Sequence, residues 1–220
     1  MTSQRHSAGP LFDSIGQSYE LAFKDLPSQR ESLEWIISTT TPSSSILDIG
    51  SGTGNPVAST LSSAGHHVLG IDVSPAMISC AQSNVPSATF KCIDIRDFFP
   101  EEQYDVIAIF FSLIASVSQK EIKEIVTRTI KDLLKPGGIF VWEGLPIDVD
   151  QVELKWMGKD AVVSGLSKEE SLRVVREAGL EIVKDEESKW LPEGAVEAGI
   201  CKREEVWEEE HLVIWGRKPE

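Results

Sequence analysis

Ile46-Leu47-Asp48-Ile49-Gly50-Ser51-Gly52-Thr53-Gly54-Asn55-Pro56 is a short β-branched run that stops at three alternating glycines and continues into a pair suited to opening a helix. It reads as strand, glycine turn, helix. Working outward, residues 67–71 read as a second strand, 74–83 as a helix and 89–93 as a third strand. Residues 104–110 form the fourth, 120–134 a helix, Lys135-Pro136-Gly137-Gly138 a turn, and 139–142 the fifth strand. Such alternation implies a parallel sheet covered on both faces, in an α/β protein.

Beyond residue 143 the pattern loosens. A capping-box start at Ser167 and Glu170 and a stop at Gly179 mark a helix over 167–178, followed by strand-like 180–183 and a closing strand at 212–215. Ahead of the first strand, Leu33, Trp35, Ile36 and Ile37 suit a helix packed on the sheet, and 11–23 is amphipathic. With neither repeat nor linker, one domain is expected over 1–220. Its parts are N-terminal helices and lid at 1–44, a core at 45–143, and cap segments with the last strands at 144–220.

The 220 residues are enough for a filled core without a disulfide or metal staple. Residues 1–110 carry 12 acids and 5 bases and residues 111–220 carry 23 and 16, so each half contributes −7 to the net −14. That even negative charge argues against nucleic acid and anionic membrane as partners. Cys80, Cys92 and Cys201 are odd in number and lack CxxC spacing, which suits neither a disulfide framework nor a zinc site. No metal is expected. MTSQRHSAGP has no apolar h-region, and the longest nearly apolar run, 106–115, is about half a membrane span. A cytoplasmic protein is the expectation.

In an open parallel sheet, ligands bind beyond the carboxyl ends of the strands. Asp48, Asp72, Asp94 and Glu143 close four of the five strands, so four carboxylates are expected on one rim. Gly50, Gly52 and Gly54 would let backbone approach a ligand closely. They match neither GxGxxG nor GxxxxGK[ST], and Pro56 removes an N–H where a pyrophosphate would sit, so a ligand without phosphate fits better. Asp72, about 20 residues on, is placed to accept from ribose hydroxyls.

Leu47-Asp48-Ile49-Gly50-Ser51-Gly52-Thr53-Gly54, Gly70-Ile71-Asp72-Val73-Ser74-Pro75-Ala76-Met77-Ile78, Tyr104-Asp105-Val106-Ile107 and Leu134-Lys135-Pro136-Gly137-Gly138-Ile139-Phe140 stand in that order. Together they resemble the successive motifs of class I S-adenosylmethionine-dependent methyltransferases. The resemblance implies a Rossmann-like, doubly wound sheet of seven strands in the order 3-2-1-4-5-7-6, the last antiparallel. It implies that S-adenosyl-L-methionine is bound and S-adenosyl-L-homocysteine released. The three glycines and Ser51 would line the methionine part, with Asp48 supporting its ammonium group and Tyr19 reaching its carboxylate. Asp72 would bind both ribose hydroxyls, and Val73 and Met77 would pack on adenine. Asp94 would accept from the adenine amine, Ile95 would donate to the ring and Phe110 would add a backbone contact. A surface role for Asp94 and a core role for Met77 stay open.

Methyl transfer needs no dedicated nucleophile, so the motifs leave the acceptor open. The resemblance implies an acceptor pocket built from the N-terminal helix, 144–166 and 188–210, with Trp142, Trp156, Trp190 and Trp207 at or beyond the rim. Glu143 and His211 are the candidate bases, against structural roles for each; His66 and His67 read as surface residues, and His6 could reach the cofactor from the tail. Absence of (D/N)PP(Y/F) after the fourth strand and of an aspartate cluster favours O-, S- or N-methylation of a small molecule. Kept beside this are a cofactor-binding protein with a non-methylating reaction, a non-catalytic partner subunit and a NAD-dependent oxidoreductase. Oligomeric state is open.

Overall fold

A computed structural model describes residues 7–220; His6 lies outside them. Nine strands are present among these residues: β1 (Ser45–Ile49), β2 (His67–Asp72), β3 (Thr89–Cys92), β4 (Tyr104–Phe110), β5 (Leu134–Gly144), β6 (Val149–Trp156), β7 (Lys159–Gly165), β8 (Glu181–Trp190) and β9 (Glu209–Arg217). Seven form one sheet in the order β3-β2-β1-β4-β5-β9-β8, with β9 antiparallel to both neighbours. Leaving out the separate β6–β7 hairpin, this is the order 3-2-1-4-5-7-6. The helices are α1 (Gly9–Ile15), α2 (Tyr19–Ala22), α3 (Pro27–Thr39), α4 (Val57–Ser63), α5 (Pro75–Asn84), α6 (Gln119–Arg128), α7 (Lys168–Glu177) and α8 (Glu193–Glu197).

Period-2 alternation divides the core between the two faces of the sheet. Leu47, Ile49, Ile107, Ile109 and Phe140 pack with Ile122, Val126 and Val175 of α6 and α7. Ile46, Val106, Ala108, Ile139 and Val141 pack with Ile36, Ala58, Leu61 and Ile78 of α3, α4 and α5. Both faces are therefore buried, which is why the central strands read as continuous apolar runs. Asp48 occupies one of these apolar positions at 1% exposure, a cost that points to a purpose at the strand end.

Besides strands that run longer than expected at β5 and β8 and the added helix α8, three elements differ in kind from the sequence expectation. The helix expected to run to residue 134 ends its α-helical part at Arg128 and closes in a π-helical turn, Thr129–Leu133; there Lys218 Nζ donates to the carbonyls of Ile130, Lys131 and Leu134 at 2.8–2.9 Å. The amphipathic stretch 11–23 is broken into α1, a 3-10 turn (Gly16–Ser18) and α2. The β6–β7 hairpin was not legible. A register shift between Val149 and Val152 and positive φ at Gln151 interrupt its alternation, whereas its tight turn is made by Met157 and Gly158, both at positive φ.

Among the described residues, no helix is long and apolar enough to cross a membrane. His67 is exposed as expected, but His66 is buried at 5% exposure, a correction. It stands in the turn between α4 and β2 and its Nε2 lies 3.5 Å from Thr40 Oγ1, so the end of α3 covers it.

Candidate active site

The chain turns from β1 into α4 through Gly50–Gly54, with all three glycines at positive φ. Gly50 is forced by crowding, since a Cβ there would lie 2.0 Å from Ser112 Cβ. Gly52 differs: at φ +51 an added Cβ would meet nothing within 4 Å. It borders open space, as backbone that receives a ligand does.

Asp72 at the end of β2 is locked beside this loop. Its Oδ2 accepts from Gly52 N at 3.0 Å and its Oδ1 from Ser74 N at 2.8 Å. Burial pushes its pKa up, and these backbone N–H groups, with that of Val73, pull it down. Ser74 also caps α5, accepting from Met77 N at 3.1 Å while donating to Asp13 Oδ1 at 2.5 Å. That bond fastens α1 over the cleft. Glu20 Oε1 fastens α2 similarly, accepting from Asn84 Nδ2 at 3.1 Å, and the same amide reaches Thr53 O.

Three neighbouring cavities follow. One of about 100 Å³ is lined by Gly50, Gly52, Asp72, Val73, Met77, Ile93, Ile95, Phe110 and Leu113. Beside the glycine loop, one of about 290 Å³ is lined by Lys24, Gln29, Asp48, Ser51, Thr53 and Asn55 among others. A third, of about 260 Å³, lies between the N-terminal helices, the hairpin and the start of β9. Tyr19 and Phe111 line all three. Burial, then the charges of Glu209, Asp72 and Glu143, raise the Tyr19 phenol above its ordinary pKa.

The residues anticipated for the cofactor thus fall mostly on the first two cavities. Asp94 stands apart: its carboxylate is gripped by Arg96, whose Nε donates to Oδ1 at 3.0 Å and, bifurcated, to Oδ2 at 3.1 Å, and whose Nη2 donates to Oδ2 at 2.7 Å, and its neighbours Ile93 and Ile95 supply the wall instead. Of the four rim tryptophans, Trp156 and Trp207 line the third cavity. Trp142 packs into the core beside α6, and Trp190 donates to Ala22 O at 3.5 Å.

Glu143 is fully buried at the end of β5. Its Oε1 accepts from Ser28 Oγ at 2.5 Å, its Oε2 has no partner among the described residues, and burial pushes its pKa up to about 8 against the pull of Ser28. It lines none of the three cavities. His211 is also fully buried, its ring edge-on to Phe111 with centroids 4.6 Å apart and its Nε2 3.3 Å from Glu209 Oε2. The third cavity is reached instead by Glu209, whose Oε1 accepts from Trp156 Nε1 at 2.9 Å.

Sequence reasoning missed Phe12, Phe23, Phe111 and Glu209. Phe12, Tyr19 and Phe23 are spaced by seven and four residues, the signal of one helical face. For Phe111, at φ +55 just past β4, and for Glu209, opposite Trp190 in the sheet, no local signal exists.

Comparison with known proteins agrees with this geometry. Residues 46–138 match the family model described as a methyltransferase domain. Residues 46–138 of this chain thus resemble a methyltransferase domain, and S-adenosylmethionine is the cofactor that the resemblance implies. Among curated proteins it is 26% identical over 121 residues to dTDP-3-amino-3,4,6-trideoxy-alpha-D-glucopyranose N,N-dimethyltransferase of Streptomyces venezuelae, covering 54% of this chain and 51% of that protein. The chain thus spans about half the length of that relative. Among solved structures it resembles the [4+2]-cyclase SpnF, with TM-score 0.72, 18% identity and coverage of 96% and 95%. The N-methyltransferase NodS of Bradyrhizobium japonicum, solved with S-adenosyl-L-homocysteine, gives TM-score 0.64, 17% identity and coverage of 98% and 100%. At these identities the likeness is one of fold.

The residues present fit the cofactor. Gly52 borders open space, and the buried atoms Asp48 Oδ2 and Ser51 Oγ find no partner among the described residues. Burial, and then the charge of Asp72, push Asp48 up to about 8. A cationic group against it would relieve both costs.

Proposed function

We propose that this protein is a methyltransferase that moves a methyl group from S-adenosylmethionine to a small organic acceptor in the third cavity. The observation that carries the reading is the placement of Tyr19 and Phe111 on all three cavities, so that the aromatic cavity and the glycine-loop cleft share these two walls. Bound there, the cofactor supplies a sulfonium-activated methyl group.

The protein's own work is holding, orienting and excluding water. Asp72 would take the ribose hydroxyls, while Val73, Met77, Ile93, Ile95 and Leu113 form the apolar shelf for adenine. Gly50, Gly52 and Ser51, with Asp48 beneath, would receive the methionine part; Lys24 and Tyr19 line the same end for its carboxylate. The rings of Phe12, Tyr19, Phe23, Phe111 and Trp156 keep water from the acceptor. Glu209, backed by His211, is the carboxylate that reaches an acceptor in this cavity and would take its proton. His211 then orients Glu209 from behind Phe111, and Glu143 shapes the rim through Ser28.

Calorimetric titration of S-adenosylmethionine, S-adenosylhomocysteine and NADH tests the cofactor, with binding of the first two alone expected. Transfer of labelled methyl to a panel of small acceptors tests the reaction. Retained cofactor binding with no transfer to any acceptor would favour a non-methylating reaction on the same site.

A further inference from the structure

The third cavity combines ring faces with negative charge. Five rings from α1, α2, the β4–α6 connection and β6 are linked at centroid distances of 5.2–6.4 Å: Phe12 to Tyr19 and Trp156, Tyr19 to Phe23 and Trp156, and Phe23 to Phe111 and Trp156. Into this box opens the carboxylate of Glu209, at 8% exposure; Glu208 and Glu210 on its rim are ion-paired to Lys189 at 3.0 and 3.6 Å, which leaves Glu209 as the carboxylate facing the rings. No lysine, arginine or histidine is among the residues that line it.

A ring face carries negative partial charge and attracts cations, most strongly when water is excluded. A carboxylate held in an apolar wall is costly unless a partner offsets its lost hydration. Trp156 Nε1 and His211 Nε2 supply part of that partnership, each to a different oxygen. An anionic acceptor would meet Glu209 at close range with no base to receive it. A neutral acceptor would fill the rings and leave the carboxylate no better served.

Resting on the methyltransferase reading, we infer that the acceptor is a small organic ammonium compound, an alkyl or arylalkyl amine entering in its protonated form. The ring box holds its carbon skeleton and its charge stands against Glu209. Glu209 is thereby the specificity-determining residue of the acceptor site.

The test uses three ligands of nearly the same shape and different charge: 2-phenylethylamine, 2-phenylethanol and phenylacetate. Each is titrated by calorimetry into the full-length protein, alone and saturated with S-adenosylhomocysteine. The expected result is binding of the amine at least about tenfold tighter than the alcohol, with phenylacetate weakest, in line with a desolvated cation on aromatic faces. Glu209→Gln should bring amine and alcohol within about twofold while S-adenosylhomocysteine binds as before. Phe12→Leu, which keeps an apolar wall but removes a ring face, should weaken the amine and spare the alcohol. Equal binding of the three ligands, no binding of the amine at millimolar concentration, or an amine preference surviving in Glu209→Gln overturns the inference. Failure of the protein to bind S-adenosylhomocysteine overturns instead the reading on which it rests, and is seen separately in the same titrations.

Discussion

The proposed cofactor half and the proposed acceptor half of the site are built by different means. The first is assembled at the ends of adjacent parallel strands: Gly50 and Gly52 follow β1, Asp72 ends β2 and Phe110 ends β4, all fixed by sheet register. The second is assembled from α1, α2, the β6–β7 hairpin and the first residue of β9, which span nearly the whole chain. The first half joins an apolar wall of Val73, Met77, Ile93, Ile95 and Leu113 to a carboxylate, Asp72, anchored by backbone hydrogen bonds. Aromatic packing makes the second, with a single buried carboxylate set in it. Scaffold geometry therefore constrains the cofactor, while the acceptor site can change without disturbing the sheet.

The sharpest way to break this division is to damage one half and read the other. Asp72→Ala should weaken S-adenosylhomocysteine by about 100-fold or more, since hydrogen bonds to a charged group are worth about 1.5–3 kcal/mol each and two hydroxyls are lost. Circular dichroism should stay native and the amine should still bind. Unchanged cofactor affinity in calorimetry would misplace the site. Next, Gly52→Val puts a branched side chain at φ +51 and into the open space of the cleft, and should cost about tenfold or more in cofactor affinity.

Trp156→Ala attacks the other half. It removes a ring that contacts Phe12, Tyr19 and Phe23 and the donor to Glu209 Oε1. Acceptor turnover should fall about tenfold, within the range of a buried aromatic anchor, with cofactor affinity changed by less than about threefold. A cofactor loss as large as the turnover loss would show that the halves are not separable.

The last prediction concerns stability and pH and leaves both halves of the site in place. Glu143 has a folded pKa of about 8, above its ordinary value, so the folded state holds a proton that the unfolded state releases near pH 4.5. Its contribution is complete below the unfolded pKa and is lost as pH rises towards 8, at up to about 1.4 kcal/mol per pH unit. Glu143→Gln cannot release that proton, so its melting temperature should increasingly exceed that of the parent apoprotein between about pH 5 and 8. Parallel profiles would mean that Glu143 titrates normally. Asp48 has the same sign and leaves both proteins with a residual slope.

The sheet was legible because its evidence is local. Glycines at a strand end, Asp72 at the next and the Lys135-Pro136-Gly137-Gly138 turn each declare themselves within a few residues, and parallel pairing follows from alternation, while the strand order followed from the resemblance. Even there, the turn before β5 is absorbed as an irregularity, Tyr104 pairing with Leu134 and Val106 with Ile139. Asp94 shows the limit of position alone. It ends β3 as its motif suggests, yet Arg96 two residues later takes its carboxylate.

The sequence by itself determined the strand-turn-helix series and the rim carboxylates at Asp48, Asp72 and Glu143, while the cofactor class followed from the resemblance that its motifs carry. Side-chain period and backbone turn chemistry depend on near neighbours, so one dimension suffices. Only the tertiary structure decided that Phe12, Tyr19, Phe23, Phe111 and Trp156 face one cavity and that Glu209, not His211 or Glu143, reaches it. That arrangement depends on where α1 and the hairpin dock. Docking is set by bonds such as Ser74 to Asp13 and by the pairing of Ala115 with Val163. The partners lie tens of residues apart, and no local pattern encodes which will meet.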